Sequence, residues 1–305
     1  MSSFMGELAK KLADKWLTLL VLPGLLLLAT AACAYLTRGK AWNDTTSVST
    51  QLTGRAQTLT SHGNVAVALA ATAVLLAAAA AGLTANAASW LITRLWLAER
   101  LNWLGKPLTW WRTQRWNAAQ HSALGATPPP GQPPLSMRLL YWWNRRNPDD
   151  AQQRRNRICL APPQRPTWIG DRVAATATRI DNQYGIDLSS TWPRLWPLLP
   201  ETMRADITAA RIAFDRTTVL AGWGLLYTLV GAWTGWWPAL LAGLGTYTAA
   251  WYQARSTIAS LSDLVETATD LYATTLAEAL GIPTIDGHVH RHTGRLITAR
   301  ARKAT

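Results

Sequence analysis

The densest group of chemically active side chains in the sequence is the run Asp286-Gly287-His288-Val289-His290-Arg291-His292. In an extended strand alternate side chains share a side, so Asp286, His288, His290 and His292 would face one way, as metal ligands or a pH-sensitive cluster require. Arg291, Arg295, Arg300, Arg302 and Lys303 crowd the same tail. A solvated basic tail with accidental alternation is the simpler reading, and a metal-dependent enzyme built on this cluster is the weakest of the functional alternatives. Only His62 and His121 remain elsewhere. There is no Walker-type phosphate loop, no Gly-x-Ser-x-Gly elbow, no His-Glu-x-x-His and no cysteine pair at metal spacing. No cofactor is expected, and the residues point away from catalysis.

The elements that would carry any site are membrane spans. Four stretches are long, apolar and free of charged side chains: Trp16 to Leu36, Val65 to Ile92, Thr217 to Gly235 and Trp237 to Tyr252. Crossing a hydrocarbon core takes roughly 20 apolar residues of helix, because each backbone amide must be bonded within its own segment. Three stretches meet that length and the fourth is short. The expectation is an all-α, four-span membrane protein with a helical, loop-rich cytoplasmic module. Lys and Arg set the orientation: three precede the first span, eighteen lie from Arg94 to Arg216, six follow the last span, and only Arg38, Lys40 and Arg55 lie between spans one and two. Both termini and the long middle segment are therefore read as cytoplasmic, with 38 to 63 outside, in the cell's inner (cytoplasmic) membrane. The first apolar run is too long for a typical cleaved signal peptide. Cys33 and Cys159 fall in different environments, so no disulfide framework is expected.

Within the spans the residues are small, including Gly222, Gly224, Gly231, Gly243 and Gly245, which favours close helix packing in a compact bundle or a homo-oligomer. Asn64 is expected among headgroups and Asn86 in an interhelical hydrogen bond. No Asp, Glu, His, Lys or Arg stands at mid-span, which argues against proton-coupled transport. Eighteen tryptophans against two phenylalanines mark the span edges, since an indole settles at headgroup depth. After span two, Trp96, Trp103 and Trp110 recur every seven residues, sharing one face if the helix is continuous, with Arg100 and Lys106 beside it. That pattern suits an interfacial helix on anionic lipid or a basic stalk, with packing in a cytoplasmic core as the plain alternative. Lys106-Pro107 should bend or divide that helix. A stiff Pro-rich linker follows at 127–134, then Arg138, Tyr141, Trp142, Trp143, Arg145 and Arg146. Such aromatic and cationic interleaving also suits nucleic acid, but beside a membrane the lipid surface explains it more cheaply.

The most distinctive texture lies between Pro162 and Pro200. It contains Pro166-Thr167-Trp168-Ile169-Gly170-Asp171, Tyr184-Gly185-Ile186-Asp187 and Trp192-Pro193-Arg194-Leu195-Trp196-Pro197. With Asp270-Leu271 further on, this resembles a group of uncharacterised bacterial multi-pass membrane proteins, in which Pro-Thr-x-x-Gly, Tyr-Gly-x-Asp and Trp-Pro-Arg-Leu elements precede a transmembrane hairpin. The resemblance covers about 160–280, implies topology and membership, and carries no activity. On its own physics, 171–182 reads as a short helix, Tyr184-Gly185 as a turn, and Trp192 to Pro200 as an irregular arm broken by prolines. Trp192, Pro193, Arg194 and Trp196 are then either a clasp beneath the bundle or a partner-docking site. Glu201 to Arg216 is expected to run into span three. Ser256 to Leu280 is an amphipathic acidic helix ended by Gly281 and Pro283, with Leu261, Leu264, Val265, Ala268, Leu271, Tyr272 and Leu276 on one broad buried face.

The organisation read from the sequence is a two-span hairpin in 1–92 and a basic Trp-rich segment in 93–216. A second hairpin in 217–252 and a cytoplasmic helix with basic tail in 253–305 complete it. The function expected is non-enzymatic: a scaffold or adaptor presenting its module to a cytoplasmic protein partner. An oligomeric channel or membrane-permeabilising effector is the rival, because hydrophobic gating needs no buried charge.

Overall fold

The computed structural model describes residues 21–37, 45–99, 102–123, 163–284 and 287–303, and these are helical, with no strand among them. In chain order the helices are α1 (Leu22–Leu36), α2 (Thr45–Ser61), α3 (Asn64–Leu97), α4 (Asn102–Ala123), α5 (Trp168–Tyr184), α6 (Leu188–Leu195), α7 (Glu201–Thr234), α8 (Trp237–Ala279) and α9 (Arg291–Ala301). A single 3-10 turn, Trp196–Leu198, follows α6. The linker at 127–134, the Trp-Arg segment at 135–147, Cys159, Arg100, Asp286 and the first residues of the first span lie outside the described residues. Cys33 is an unpaired thiol. The chain divides into two compact units, one formed by 1–93 with 215–253 and the other by 94–214 with 254–305, so α3, α7 and α8 each contribute to both.

The first unit buries small residues and exposes large ones. Gly24 of α1 lies against the Ala78 carbonyl of α3, where an added Cβ would stand 2.1 Å from the oxygen. Gly222 of α7 meets the Ala85 carbonyl in the same way, and Gly224, Gly231 and Gly243 bring α7 and α8 to backbone contact across their hairpin. The connection turns on Gly235, whose φ of 71° suits glycine. Leu27, Ala85 and Trp223 form a small buried apolar cluster there. Val65, Leu69, Leu76, Leu83 and Trp90 of α3, and Leu229, Trp233, Leu241 and Tyr252 of the hairpin, point outward. Polar side chains satisfy themselves locally. Thr30, Thr72, Thr84, Thr228 and Thr234 each donate to the carbonyl four residues back. Asn86 does the same with the Gly82 carbonyl, at 3.1 Å, so the interhelical bond expected of it is replaced by one within α3.

The polar segment read only as an external connection contains a helix, α2. Its Thr and Ser hydroxyls, as at Thr53, Thr58 and Thr60, bond back to carbonyls of the preceding turn and so do not compete with the helical ladder.

The second unit is built the ordinary way round. Ile180, Ile186, Leu195, Leu199, Ile207, Ala268, Leu276, Val289 and Ile297 form its core, with Trp192, Trp196, Leu261, Leu264 and Tyr272 packed against it. Its helices start and stop where side chains satisfy their free ends. Thr167 caps α5 by accepting the Gly170 N–H, and Gly185, at φ 72°, closes the other end by donating to the Asp181 carbonyl. Asp187 caps α6 through the Ser189 N–H. At the end of α8, Ile282 donates to the Ala277 carbonyl and Gly281 to that of Glu278, the paired bonds of a Schellman stop.

Four local expectations change. The residues from Trp192 onward are not an irregular arm: α6 runs through Pro193 to Leu195, and Pro193 forfeits one ladder bond while Ser190 and Thr191 hydroxyls bond the Asp187 carbonyl. Pro107 stands six residues into α4 and does not divide it. Leu271 is 61% exposed, because the buried stripe of α8 follows Leu261, Leu264, Ala268 and Leu276 and leaves 271 to one side. The short fourth span and the acidic helix are one 43-residue helix, since no breaker stands between Tyr252 and Ser256.

Candidate functional site

The most organised polar site surrounds Asp171, whose side chain is 4% exposed. One carboxylate oxygen accepts the N–H groups of Gln164 and Arg165, at 3.0 and 2.7 Å. The other lies 2.6 Å from the Arg112 guanidinium, itself 11% exposed, which also donates to the Arg165 carbonyl at 2.7 Å. The position near the α5 N-terminus adds a favourable helix dipole for the anion. Around this ion pair the Pro-Thr-x-x-Gly-Asp element closes the end of α3. The Thr167 hydroxyl donates to the Trp96 carbonyl while accepting from Gly170, and Arg165 reaches the Leu97 carbonyl at 3.4 Å and Glu99 at 2.9 Å. The last carbonyls of a helix have no partner within it, so two of those on α3 are satisfied by residues about seventy positions away. Gly170 is needed for the approach, since a Cβ there would come within 3.2 Å of the Trp96 carbonyl.

From this node a ladder of contacts joins α5 to the second half of α8. The Arg255 guanidinium lies 4.5 Å above the Trp168 ring, Arg172 pairs with Asp263, Arg179 meets Glu266 at 2.7 Å, and Tyr184 donates to Asp270 at 2.8 Å. Positions advance together on the two helices, so they run in the same direction. Burial pushes the Tyr184 phenol up to about 12, and the Asp270 carboxylate adds to the shift. At the foot of the ladder α9 packs on the Tyr-Gly-x-Asp element. A Cβ on Gly294 would stand 1.8 Å from the Tyr184 carbonyl, the Asp187 N–H donates to Thr298 at 3.0 Å, and Arg302 meets Asp187 at 2.7 Å. The Arg302 guanidinium beside Asp187 holds its carboxyl down at about 2.

These groups hold helices in place and leave no reactive arrangement. His288 and His290 are exposed, His290 is the residue before α9, and His292 lies on that helix. The extended strand needed to align the three therefore ends before His292, and Val289 between the first two is buried in the core. No group of three or more His, Cys, Asp or Glu able to hold a metal occurs among the described residues.

No protein-family model, curated protein or solved structure matches this chain.

The remaining candidates are placed as follows. Trp96 is 4% exposed near the end of α3, whereas Trp110 is 60% exposed on α4. Because α3 ends at Leu97 and α4 begins at Asn102, the seven-residue spacing does not set Trp96 and Trp110 on one helix face. Trp103 and Lys106 lie on the first turns of α4, and Arg100 precedes it. The Trp192 and Trp196 rings meet with centroids 5.8 Å apart and planes tilted by 47°, and both pack on the core; Arg194 bonds the Ser190 carbonyl, and Pro193 is exposed. The side chains missed by inspection of the sequence are Arg112 and Arg165. Their role depends on long-range contacts that leave no local pattern, whereas Thr167 three residues before Gly170 and an acidic first turn are a readable cap.

Proposed function

We propose that this chain is a non-enzymatic multi-pass membrane protein that holds a helical module at the cytoplasmic face as a scaffold or adaptor for a protein partner. The observation that carries the reading is the contrast between the two units. α3 is, among the described residues, the one helix long and apolar enough to cross a membrane, and only 17% of its most apolar stretch is buried. In water each large apolar side chain left outside forgoes about 1.5–3 kcal/mol. In lipid it forgoes none, and close packing through Gly and Ala takes over as the source of helix association. The second unit, with apolar residues inside and ion pairs outside, fits an aqueous compartment.

The four-span arrangement, with α1, α3 and the apolar halves of α7 and α8 as crossings, belongs to this proposal. Its orientation follows the charge distribution, with 38–63 outside and both ends in the cytoplasm. The resemblance to uncharacterised bacterial multi-pass proteins agrees with the same map. The three elements have a structural use here, since they supply the α3 cap, the α5–α9 junction and the Trp192–Trp196 contact with the core. Gly224, Gly231 and Gly243 make close contacts within their own hairpin, which supports a packing role for them. Reconstitution into liposomes tests the choice. A scaffold leaves the vesicles impermeable to ions and captures a soluble protein through the 94–214 and 254–305 unit; ion flux without capture would replace it with a channel.

A further inference from the structure

We infer that α4 is a lipid-reading surface whose Leu108, Trp111 and Arg115 seat in the headgroup layer of an anionic bilayer. The inference rests on the membrane-embedded reading and assigns a partner to a face for which the sequence pattern suggested different residues.

The inner face of α4 is fixed. Arg112 is held by Asp171, Thr113 donates to the Pro163 carbonyl and Ala118 is 2% exposed. That rotation leaves Leu108, Trp110 and Trp111 outward, at 48, 60 and 51% exposure. Leu108, Trp111 and Arg115 follow one another at three and four residues and form a single stripe, whereas Trp110 projects about 100° round the helix from Trp111. The Arg115 guanidinium stands 4.6 Å over the Trp111 ring, so its charge is carried at the level of the indole. Two exposed indoles and a leucine on one short helix are costly in water. At headgroup depth the ring finds both an apolar and a polar neighbour, and an arginine over it faces phosphate.

Charge decides which lipid. From Asn102 to Ala123 there is no Asp or Glu; Arg112 is paired inward with Asp171, and Arg115 is the cation that stands on the exposed stripe. Anionic headgroups complement that face, and each basic residue near such a surface contributes about 1 kcal/mol. Position agrees. Four residues separate Leu97 from Asn102, so the start of α4 lies within roughly 17 Å of the end of α3, the helix read as leaving the membrane there.

The test uses the full-length protein in vesicles of phosphatidylcholine alone or of phosphatidylcholine with phosphatidylglycerol, with the rate of tryptic cleavage after Arg115 read by mass spectrometry. Cleavage should slow about fivefold or more in the anionic vesicles, the factor carried by a single basic residue. High salt should reverse the slowing, and W111A, which alters an exposed side chain, should abolish it. A chain that resists alkaline carbonate extraction but is cleaved equally fast in both vesicles overturns this inference alone. So does equal protection in both vesicles and in detergent, which means that protein covers the face. A chain stripped from the vesicles by carbonate overturns the embedded reading and this inference with it.

Discussion

Asp171 shows what a single residue does in this fold. Its carboxylate joins Arg112 of α4 to the loop before α5, which in turn caps α3. A buried ion pair adds little net stability over an apolar pair, but breaking one strands the surviving charge. Asp171→Ala should therefore cost about 3 kcal/mol, read as a lower unfolding temperature in detergent. Glycines divide by what surrounds them. Gly294→Ala drives a Cβ into the Tyr184 carbonyl and should detach α9, exposing Arg295 and Arg300 to trypsin, whereas Gly245→Ala meets open space and should leave thermal unfolding unchanged or raised. The Asp187–Arg302 pair gives a pH signature. A carboxyl lowered from 3.8 to about 2 contributes stability above its ordinary value and loses it as pH falls from about 4 through 2. Arg302 is 60% exposed, so the contribution is below about 1 kcal/mol. Unfolding of the wild type should steepen in that window relative to Arg302→Gln. Local chemistry made the Gly185 turn readable in advance. The Asp171–Arg112 pair and the contacts of Arg165 with Leu97 and Glu99 were not, since they meet across fifty or more residues.

At the scale of elements, periodicity reveals a helix more surely than the rotation of that helix. The stretch from Ser256 reads as amphipathic from its spacing alone, and it does pack through Leu261, Leu264 and Leu276. Leu271 satisfies the same pattern yet lies outward, because a broad apolar stripe leaves the centre of the contact to be set by the partner helices. Leu276→Ala should destabilise the second unit by about 2–5 kcal/mol, and Leu271→Ala by little, in the same thermal measurement. Prolines misled in the opposite direction. Pro107 and Pro193 each remove one ladder bond, and the surrounding contacts suffice to carry α4 and α6 through them. The helix α2 was hidden by composition, as Thr and Ser favour turns until their hydroxyls bond back along the helix. The break between α3 and α4 was hidden by the regular spacing of tryptophans across it.

At the scale of the whole molecule the two units differ in which residues they bury. One unit packs glycine and alanine inward and leaves leucine, valine and tryptophan outside; the other does the reverse. The all-helical class and the apolar length of α3 could be read directly from the sequence, because both depend on composition over many residues. The division of α7 and α8 between units depends instead on long helices that pass from apolar to charged faces without a breaker. The central claim is that the apolar unit spans a bilayer with α2 on one side and the basic segment on the other. Topology reporters fused at Gln51 and at Gly131 measure this most directly. They should report opposite sides of the membrane, Gln51 outside and Gly131 in the cytoplasm. The same side for both would contradict the claim.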